Sequence, residues 1–392
     1  MAPSWENDDD RKYDAVSSDP ITALPSLPFE IIEEILSKLP VKFLMQLKSV
    51  CKSWESLISD PQFAKKHLRV STTRHHLLTF NNFFSDELFV VVYPFSSVFT
   101  ELTVAASRQL DFPLPVGNLS HYIIGSCHGI ICFEINEHFV FLWNRFISKF
   151  MKLPSLANPK QKICYTAYGF GYVYDQFNDN YSYKVVAVNY IESDNNVSYY
   201  RYRPQLKVYT LGTNSWRMIQ DFPYCIPLGL SSGRFISGTV NWLAYNNLFI
   251  SLVIVSFDLE NEFYQEITLP DYEVVIRPQV TLVVLRDCLS IIAESNTYLD
   301  VWLMDEYGNT ESWTKLFRIP RGEPPAYITP LYLSEDDHVL MESRYVRQSK
   351  PQSELAIYNS RDSILKTTEI QKINCSMVHE VYQESLISPC SL

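Results

Sequence analysis

Residues 26–70 alternate apolar and polar positions with the spacing of several short helices. In the first apolar stripe, Ile31, Ile35 and Leu39 recur every four residues, and Ile32 and Leu36 widen the stripe. Pro28 suits the first turn of this helix, and Pro40 ends it. The pattern therefore predicts an amphipathic helix between these two prolines.

Three further helices are predicted without a long loop between them. Two of them rest on sets of apolar residues, Leu44, Leu47 and Val50, then Trp54, Leu57 and Ile58. Asp60 before Pro61 is an N-cap followed by proline in the first helical position, which predicts a fourth helix through Leu68. Since about 45 residues of helix bury little surface alone, the unit is either a cap on the next domain or a docking module.

A strand pattern recurs through the rest of the chain. Each copy has an apolar strand, a polar turn, an aromatic residue and an apolar residue before proline, at 139–154, 206–223, 255–270 and 301–320, with a degenerate copy at 355–370. The closing prolines, Pro154, Pro223, Pro270 and Pro320, are 69, 47 and 50 residues apart. A period near 50 residues made of strands and turns is typical of β-propellers, with one repeat in each blade.

A second strand signal precedes each copy, so five blades are predicted between about residues 121 and 370. Strands at 77–80 and 88–94 remain at one end, and residues 376–388 remain at the other. Joined, they would form a sixth blade that closes the ring and covers its edges. The predicted fold is α+β and multidomain: a small all-α N-terminal unit followed by an all-β, propeller-like repeat domain of about six blades.

Charge and composition narrow the functions that fit this fold. The 392 residues carry a net charge of −11 with no dominant Lys/Arg cluster, so nucleic acid is not expected as a partner. Residues 1–24 form an acidic tail that we expect to be disordered and that lacks the apolar core of a signal peptide. The apolar stretch 248–257 is too short to span a bilayer. The eight Cys include no CxxC pair and the eight His show no metal-ligand spacing. We expect no membrane, metal or cofactor, and a cytoplasmic or nuclear location.

Two motifs suggest catalysis, and each has a simpler explanation. Cys127 precedes His128, and a Cys beside a His base can act as a nucleophile. Neighbours on one strand, however, point to opposite faces of the sheet and do not easily hydrogen-bond to each other. The segment 305–313 is similar to the Asp-box of sialidase-type propellers, but two residues instead of one separate Asp305 from Gly308. A polar hairpin turn is the simpler interpretation, and no catalytic residue is predicted.

An insertion at residues 189–205 lengthens one blade. It contains residue types that are enriched at interface hot spots: Tyr199, Tyr200, Arg201, Tyr202 and Arg203. One interpretation makes this run a surface that binds a target protein. The other is an exposed hairpin with a run of tyrosines suited to strands, and both remain open at this point.

Residues 27–68 resemble an F-box of the plant type almost throughout their length. The matching elements include Leu27-Pro28, Leu39-Pro40-Val41-Lys42, Val50-Cys51-Lys52-Ser53-Trp54 and Asp60-Pro61. The resemblance implies that a domain at 25–69 docks on the Skp-family adaptor of an SCF ubiquitin ligase, and through it on cullin and RING subunits. The residues implied in adaptor binding are Leu27, Pro28, Ile31, Ile35, Leu36, Leu39, Pro40, Leu44, Val50, Cys51, Trp54 and Leu57.

Residues 121–320 resemble the F-box-associated domain that follows plant F-boxes, a kelch-like domain expected here at 70–392. Its motifs are "GSCHGIICF" (125–133), "YGFGYVYD" (168–175) and "GTVNWLA" (238–244), although the double glycine of kelch repeats is missing. Together the two resemblances imply a non-catalytic receptor that presents an unidentified target protein for ubiquitination. Two alternatives stay open: a β-propeller hydrolase with a helical cap, if polar residues converge on the central channel, and an adaptor-bound regulator without targets.

Overall fold

The computed structural model describes most of the 392-residue chain. The described residues are 27–70, 75–81, 90–100, 103–104, 121–135, 139–156, 163–192, 202–227, 232–246, 251–271, 279–295, 297–320, 327–347, 350–362, 364–370 and 377–390. The tail predicted at residues 1–24 lies outside them.

Four short helices begin the described chain: α1 (Phe29–Ser37), α2 (Val41–Leu47), α3 (Lys52–Ser59) and α4 (Pro61–Val70). Pro28 and Pro40 each hold the N-cap position before a helix, with φ values of −53° and −57° and extended ψ values of 143° and 145°, so Pro28 lies just before α1 rather than in its first turn. The carboxylate of Asp60 accepts hydrogen bonds from the backbone N–H groups of Gln62 and Phe63 at 2.6 and 3.2 Å. The predicted four-helix unit and the N-cap of its last helix are therefore confirmed.

The second helix ends earlier than its apolar pattern suggested. α2 stops at Leu47, and Val50 is an exposed residue in the turn before α3. The N–H groups of Ser49 and Val50 bond to carbonyls three residues back, at 3.2 and 3.1 Å. This tightening rotates Val50 away from the side occupied by Leu44, so the prediction that both share one side of α2 is wrong.

The rest of the described chain is built almost entirely of strands. It begins with β1 (His75–Asn81), β2 (Val90–Pro94), the helix α5 (Phe95–Thr100) and β3 (Thr103–Val104). Blade 1 contains β4 (His121–Cys127), β5 (Ile130–Ile135), β6 (Phe139–Asn144) and β7 (Lys149–Lys152). Blade 2 contains β8 (Ile163–Asp175), β9 (Asn180–Glu192), β10 (Tyr202–Thr210) and β11 (Trp216–Asp221). Blade 3 contains β12 (Arg234–Ile236), β13 (Thr239–Tyr245), β14 (Leu252–Asp258) and β15 (Tyr264–Ile267).

Blade 4 contains β16 (Gln279–Leu285), β17 (Cys288–Glu294), β18 (Tyr298–Met304) and β19 (Trp313–Pro320). Blade 5 contains β20 (Tyr327–Leu333), β21 (His338–Arg347), β22 (Lys350–Asn359) and β23 (Ile364–Ile370), with β3 added in parallel beside β23. The last strand is β24 (Met377–Gln383). Within blades 1 to 5, each strand from the first to the fourth pairs with the next in antiparallel fashion, as expected for successive hairpins.

The sixth sheet joins the two ends of the β region. Its order is β2, β1, β24, and β24 pairs along the whole of β1, with Leu78 opposite Glu380. β24 also contacts β4 and β20, the first strands of blades 1 and 5, and the first strands of blades 1 to 5 contact one another in sequence. The C-terminal strand thus closes the ring, and the predicted six-bladed propeller is confirmed.

Three blades share the same tight turn between their first and second strands. The turns are at 128–129, 237–238 and 286–287, and both residues of each turn have positive φ, as in type I′ hairpins. The first two turns place Gly129 and Gly238 in this conformation, where a residue with a Cβ is strained. The "HG" and "SG" pairs in the sequence are the local signal for these turns.

The recurring aromatic residue of the repeats joins neighbouring blades. Trp216 of β11 donates its indole N–H to the carbonyl of Pro154 at 2.7 Å, and Trp313 of β19 donates to that of Thr268 at 3.1 Å. Each carbonyl follows the outermost strand of the preceding blade. The tryptophans therefore satisfy backbone groups that end one blade while packing in the next.

The helices pack on the propeller within a single hydrophobic cluster. This cluster includes buried residues of the helices, of blades 1 and 2 and of the chain end: Leu36, Leu44, Phe63, Leu68, Ile130, Leu142, Phe170, Leu386 and Ile387. The last two belong to residues 384–390, which we call the C-terminal segment. The buried amide of Asn144 donates to the carbonyls of Ser385 and Ile387 at 3.0 and 2.8 Å, and Ser385 Oγ donates to the carbonyl of His128 at 2.6 Å. The strand that closes the ring therefore continues into the core shared with the helices.

Candidate functional site

The helical unit exposes several large apolar side chains that its own packing leaves uncovered. We call them the apolar helix surface: Leu27, Phe29, Ile31, Ile35, Phe43 and Val50, each between 47% and 60% exposed. Large apolar side chains that cluster on a surface mark sites of association with another protein. This surface is therefore the best candidate for a docking site on the helices.

The residues implied in adaptor binding fall into three groups by exposure. Six are exposed, namely Leu27, Pro28, Ile31, Ile35, Val50 and Cys51. Four are partly exposed, namely Leu39, Pro40, Trp54 and Leu57. Two are buried, namely Leu36 and Leu44. A contact with a partner is open to the first ten, and it stays a prediction for all of them.

Leu36 and Leu44 stabilise the helical unit from inside. They are 2% and 0% exposed and belong to the shared hydrophobic cluster. On α1 the residues Ile31 and Ile35 form a second, outward stripe, one position before Ile32 and Leu36. The single wide stripe of the sequence pattern is thus two stripes, and only one of them is available to a partner.

Phe29 and Phe43 belong to the apolar helix surface but were missed by the sequence reasoning. Phe29 is the first residue of α1, and Phe43 lies between the exposed Lys42 and the buried Leu44. An aromatic residue on the polar side of a short amphipathic helix was the available signal. Such a residue has no intramolecular reason to be aromatic, which favours a role in association.

Polar side chains next to residues of the apolar helix surface form an ion pair and hydrogen bonds with neighbouring groups of the helical unit. Glu34 pairs with Lys38 at 2.8 Å, and the hydrogen bond from that lysine lowers the pKa of the Glu34 carboxyl. Cys51 holds the N-cap position of α3, where a hydrogen bond with the Ser53 hydroxyl, followed by one with the backbone N–H of Trp54, lowers the pKa of its thiol. These contacts leave the apolar side chains as the free part of the surface.

The insertion predicted at 189–205 is partly regular structure. Residues 189–192 belong to β9 and residues 202–205 to β10, with Glu192 opposite Tyr202 and Ile191 opposite Arg203. Tyr199, Tyr200 and Arg201 lie outside the described residues. The predicted insertion is therefore shorter than expected, since strand pairing continues across both of its ends, and target binding by these residues stays a prediction.

The helices contact one end of blade 2, and β9 ends at the other. Lys65 of α4 donates from Nζ to the carbonyl of Asp179 at 3.1 Å, in the turn that precedes β9. The chain leaves β9 at Glu192, at the other end of this 13-residue strand. At roughly 3.3 Å per residue, β9 separates the end that the helices contact from its last residue, Glu192, by about 40 Å. A partner on the helices would leave the far face of the propeller free.

Two family models match this chain in the same order as the two structural parts. The F-box domain matches residues 24–66, and the F-box associated beta propeller domain matches residues 76–388. The chain belongs to the F-box proteins with an associated β-propeller domain. The resemblance seen in the sequence is thereby confirmed, and the four helices are the F-box.

Curated plant proteins share this arrangement. An F-box/kelch-repeat protein of Arabidopsis thaliana is 31% identical, over 94% of this chain and 97% of its own length. F-box/WD-40 repeat-containing protein 1 of the same plant is 26% identical, over 80% of this chain and 74% of its own length. The similarity to the first relative therefore extends through both the F-box and the propeller.

Cys127 and His128 of this F-box protein have different partners. Cys127 ends β4 and donates from Sγ to the carbonyl of Phe170 at 3.8 Å, and burial raises the pKa of its thiol. His128 Nδ1 is 2.8 Å from the hydroxyl of Tyr183, and burial lowers the pKa of the ring to about 4. His128 is the first residue of the turn after β4, so the expectation that Cys127 and His128 lie on one strand is wrong. The two side chains nevertheless contact different groups, as that expectation required.

The segment 305–313 is a polar turn, as predicted. Residues Thr310–Ser312 form one 3₁₀ turn, and the backbone N–H of Asp305 donates to the carbonyl of Ser312 at 3.3 Å. Inside it, the Tyr307 hydroxyl donates to Asn241 Oδ1 at 2.8 Å, which joins blade 4 to blade 3. The turn therefore has a structural role in holding adjacent blades.

The hydrolase alternative required polar residues on the inner strands. Ser126 of β4 donates to Glu380 of β24 at 3.0 Å, and Arg234 of β12 donates from Nε to a backbone carbonyl. Burial raises the pKa of Glu380, although Arg234 and the Ser126 hydrogen bond act in the opposite direction. The adjacent His379 bonds to Thr79 instead, with Nδ1 3.0 Å from Oγ1. Across the described inner strands, then, serine, histidine and carboxylate do not form a catalytic triad.

The part of the chain that the structure describes offers neither a metal site nor a membrane-spanning helix. Within it, groups of three or more His, Cys, Asp or Glu that could hold a metal ion are absent. Among the same residues, none of the helices has the length and apolar character needed to cross a membrane.

Proposed function

We propose that this F-box protein is a substrate-recognition subunit of an SCF ubiquitin ligase. The F-box docks on a Skp-family adaptor through the apolar helix surface, and the adaptor connects it to cullin and RING subunits. The observation that carries this proposal is that surface itself, because six large apolar side chains on a small helical unit remain uncovered after the helices have packed on the propeller.

The receptor supplies no catalytic group in this mechanism. A separate conjugating enzyme carries the ubiquitin, and the receptor holds a target so that its lysines encounter that enzyme at a high effective concentration. The separation of about 40 Å along β9, at roughly 3.3 Å per residue, supports target binding on the propeller face away from the F-box. The reaction would take place in the cytoplasm or the nucleus.

The test is target capture in cells treated with a proteasome inhibitor. Changing Tyr200, Arg201 and Tyr202 together to Ala should remove proteins from the captured set, since truncating a hot-spot residue typically costs about 2 kcal/mol or more of binding energy. The adaptor should be captured equally by both forms, because it binds the F-box. An unchanged set of captured proteins would exclude this hairpin as the target surface.

Ubiquitin transfer separates this proposal from its alternatives. A reconstituted ligase should modify a captured target, whereas an adaptor-bound regulator would bind the adaptor without modifying anything. For the hydrolase alternative, Ser126→Ala is the informative variant, because the Ser126 hydroxyl donates to the Glu380 carboxylate at 3.0 Å on the inner strands. Ubiquitin transfer that is unaffected by this change supports the proposal, and transfer that is lost with it contradicts the non-catalytic mechanism.

A further inference from the structure

Two kinds of contact hold the F-box on the propeller. The first is the shared hydrophobic cluster, in which buried side chains of the helices meet blades 1 and 2 and the C-terminal segment. The second is polar and converges on Asp179, in the turn between β8 and β9. The hydrophobic driving force is non-directional, so the polar contacts add directional constraints on how the helices are oriented.

Asp179 binds two cationic side chains of α4. Arg69 donates from Nη2 to the Asp179 carboxylate, and the ammonium group of the buried Lys65 donates to the Asp179 backbone carbonyl at 3.1 Å. Tyr174 donates to the same carboxylate at 2.6 Å, and the Arg69 guanidinium lies 5.8 Å from the centre of its ring. The hydrogen bonds from Tyr174 and Arg69 lower the pKa of Asp179, so its negative charge is maintained.

The turn that carries Asp179 is itself rigid. The Asp175 carboxylate accepts hydrogen bonds from the backbone N–H groups of Phe177 and Asn178, at 2.9 and 3.2 Å, and from the Asn178 side-chain amide at 2.6 Å. Asp179 has a φ of 48°, a left-handed conformation that Asp tolerates better than most residues. The Asp179 carboxylate also accepts the hydrogen bond from Tyr174, so both carboxylates of this turn are held by groups of the β8–β9 hairpin itself.

We propose that Asp179 is a positioning residue that fixes the orientation of the F-box relative to the propeller. The inference rests on the proposed function, because this orientation sets the distance between an adaptor-bound ubiquitin carrier and a target on the far face of the propeller. Loss of Asp179 leaves the adaptor surface and the target surface intact but lets the distance between them vary. Ubiquitin transfer then loses its positional selectivity while binding is preserved.

The first measurement is the distance distribution between spin labels on the two parts of the full-length protein. Ser56→Cys on α3 and Gln265→Cys on β15 provide exposed label positions. The background carries Ser in place of the exposed Cys51 and Cys390 and of Cys375. Pulsed electron–electron resonance of this parent should give one narrow distribution.

Variants at the contact and a matched control then test the proposal. Asp179→Gly keeps the left-handed backbone and removes the carboxylate, and Arg69→Met removes its partner. Each should broaden the distribution at least about twofold, because the charged contact is lost and only the Lys65 hydrogen bond to the backbone carbonyl remains beside the non-directional apolar contact, and Arg69→Lys should restore much of the narrow form. The control Arg217→Met breaks an ion pair of 2.6 Å with Glu262 inside the propeller, and its distribution should equal that of the parent. A narrow distribution in Asp179→Gly, or equal broadening in the control, would overturn the proposal.

The second measurement follows ubiquitin itself. In a reconstituted ligase, mass spectrometry of the receptor's own propeller lysines should show a restricted set of modified positions for the parent and a wider set for Asp179→Gly, with adaptor affinity unchanged. Identical sets would contradict the positioning role. If the parent is not modified at all, the proposed function fails, whereas the spin-label distances still decide whether Asp179 fixes the F-box.

Discussion

The F-box and the propeller differ in how completely they bury their apolar side chains. In the propeller, the second strands of blades 3 and 4, β13 and β17, are almost completely buried, and a few apolar side chains, such as those of Ile364 and Leu365 on β23, remain exposed. The four helices have only one neighbouring surface, and α1 retains an outward apolar stripe after packing against it. A closed ring of blades covers its own strand edges and most of its apolar surface. A small helical unit that packs on one face of the ring keeps some apolar surface exposed, and that surface is available to a partner.

The largest expected effect tests whether the propeller depends on its C-terminal strand. Truncation that removes residues 376–392 deletes β24, exposes the edge of β1 and uncovers the sides of β4 and β20 that β24 contacts. We expect loss of the cooperative thermal transition and aggregation, measured by circular dichroism and size-exclusion chromatography. The matched control removes only residues 391–392. A truncated protein that unfolds like the full chain would contradict ring closure by β24.

A shorter truncation tests the link between the ring and the F-box. Removing residues 386–392 keeps β24 complete but deletes Leu386 and Ile387 from the shared cluster. Full burial of such side chains is worth roughly 1.5–3 kcal/mol each, so the free energy of unfolding should fall by several kcal/mol while the ring stays closed. Hydrogen exchange should accelerate in α4 more than in blade 4. Equal acceleration in both would argue against a specific role of the C-terminal segment.

Two glycines with nearly the same backbone conformation allow the contact between the C-terminal segment and one of them to be tested by itself. Gly129 and Gly238 have φ values of 76° and 77°, but a Cβ on Gly129 would lie 2.9 Å from the Ser385 Cβ, while one on Gly238 meets nothing within 4 Å. Alanine at either position should cost roughly 1 kcal/mol or more for the left-handed backbone. Gly129→Ala should cost more in denaturant unfolding because it also displaces Ser385. Equal losses of stability in the two variants would mean that the C-terminal segment moves aside for the added Cβ without an energetic cost.

The last of these predictions concerns the pH dependence of the stability of the propeller. Burial lowers the pKa of His128 to about 4 in the folded protein, below the value of about 6.5 for unfolded histidine. The unfolded chain therefore binds more protons between these values, and stability falls as the pH decreases from about 6.5 to about 4, by at most about 1.4 kcal/mol per pH unit. His128→Asn, which tolerates the φ of 48°, should flatten this decline between pH 7 and pH 5. His338→Asn is the control, and equal flattening by both would contradict the assignment to His128.

The sequence was sufficient to predict the parts of this molecule in which apolar residues or strand patterns recur at one regular spacing. The prolines, the spacing of Ile31 and Ile35 and the repeating strands were sufficient for the four helices and the six blades. The tight turns at Gly129 and Gly238 have a local signal as well, a residue followed by glycine, but they were not predicted. These features depend on residues that are close together in the chain.

What the sequence could not separate depends on contacts between distant residues. Ile35 and Leu36 are adjacent in one apolar run, yet the first is 49% exposed and the second 2%, because only packing on the propeller decides which stripe is covered. Asp179 looked like an ordinary turn residue, and its role follows from Arg69, 110 residues earlier. The same limit explains why Phe29 and Phe43 were missed.

The most direct test of the central claim is calorimetric titration of the full-length protein with a purified Skp-family adaptor. Ile35→Asp with Val50→Asp places two charges on the apolar helix surface, at positions that are 49% and 60% exposed and so tolerate the change structurally. The control, Ile364→Asp with Leu365→Asp, alters two propeller residues that are 50% and 52% exposed. We predict that the F-box pair loses adaptor binding by at least about 100-fold, as expected for hot-spot apolar residues, while the control binds like the parent. Retained binding by the F-box pair, or equal loss by the control, would contradict docking through this surface.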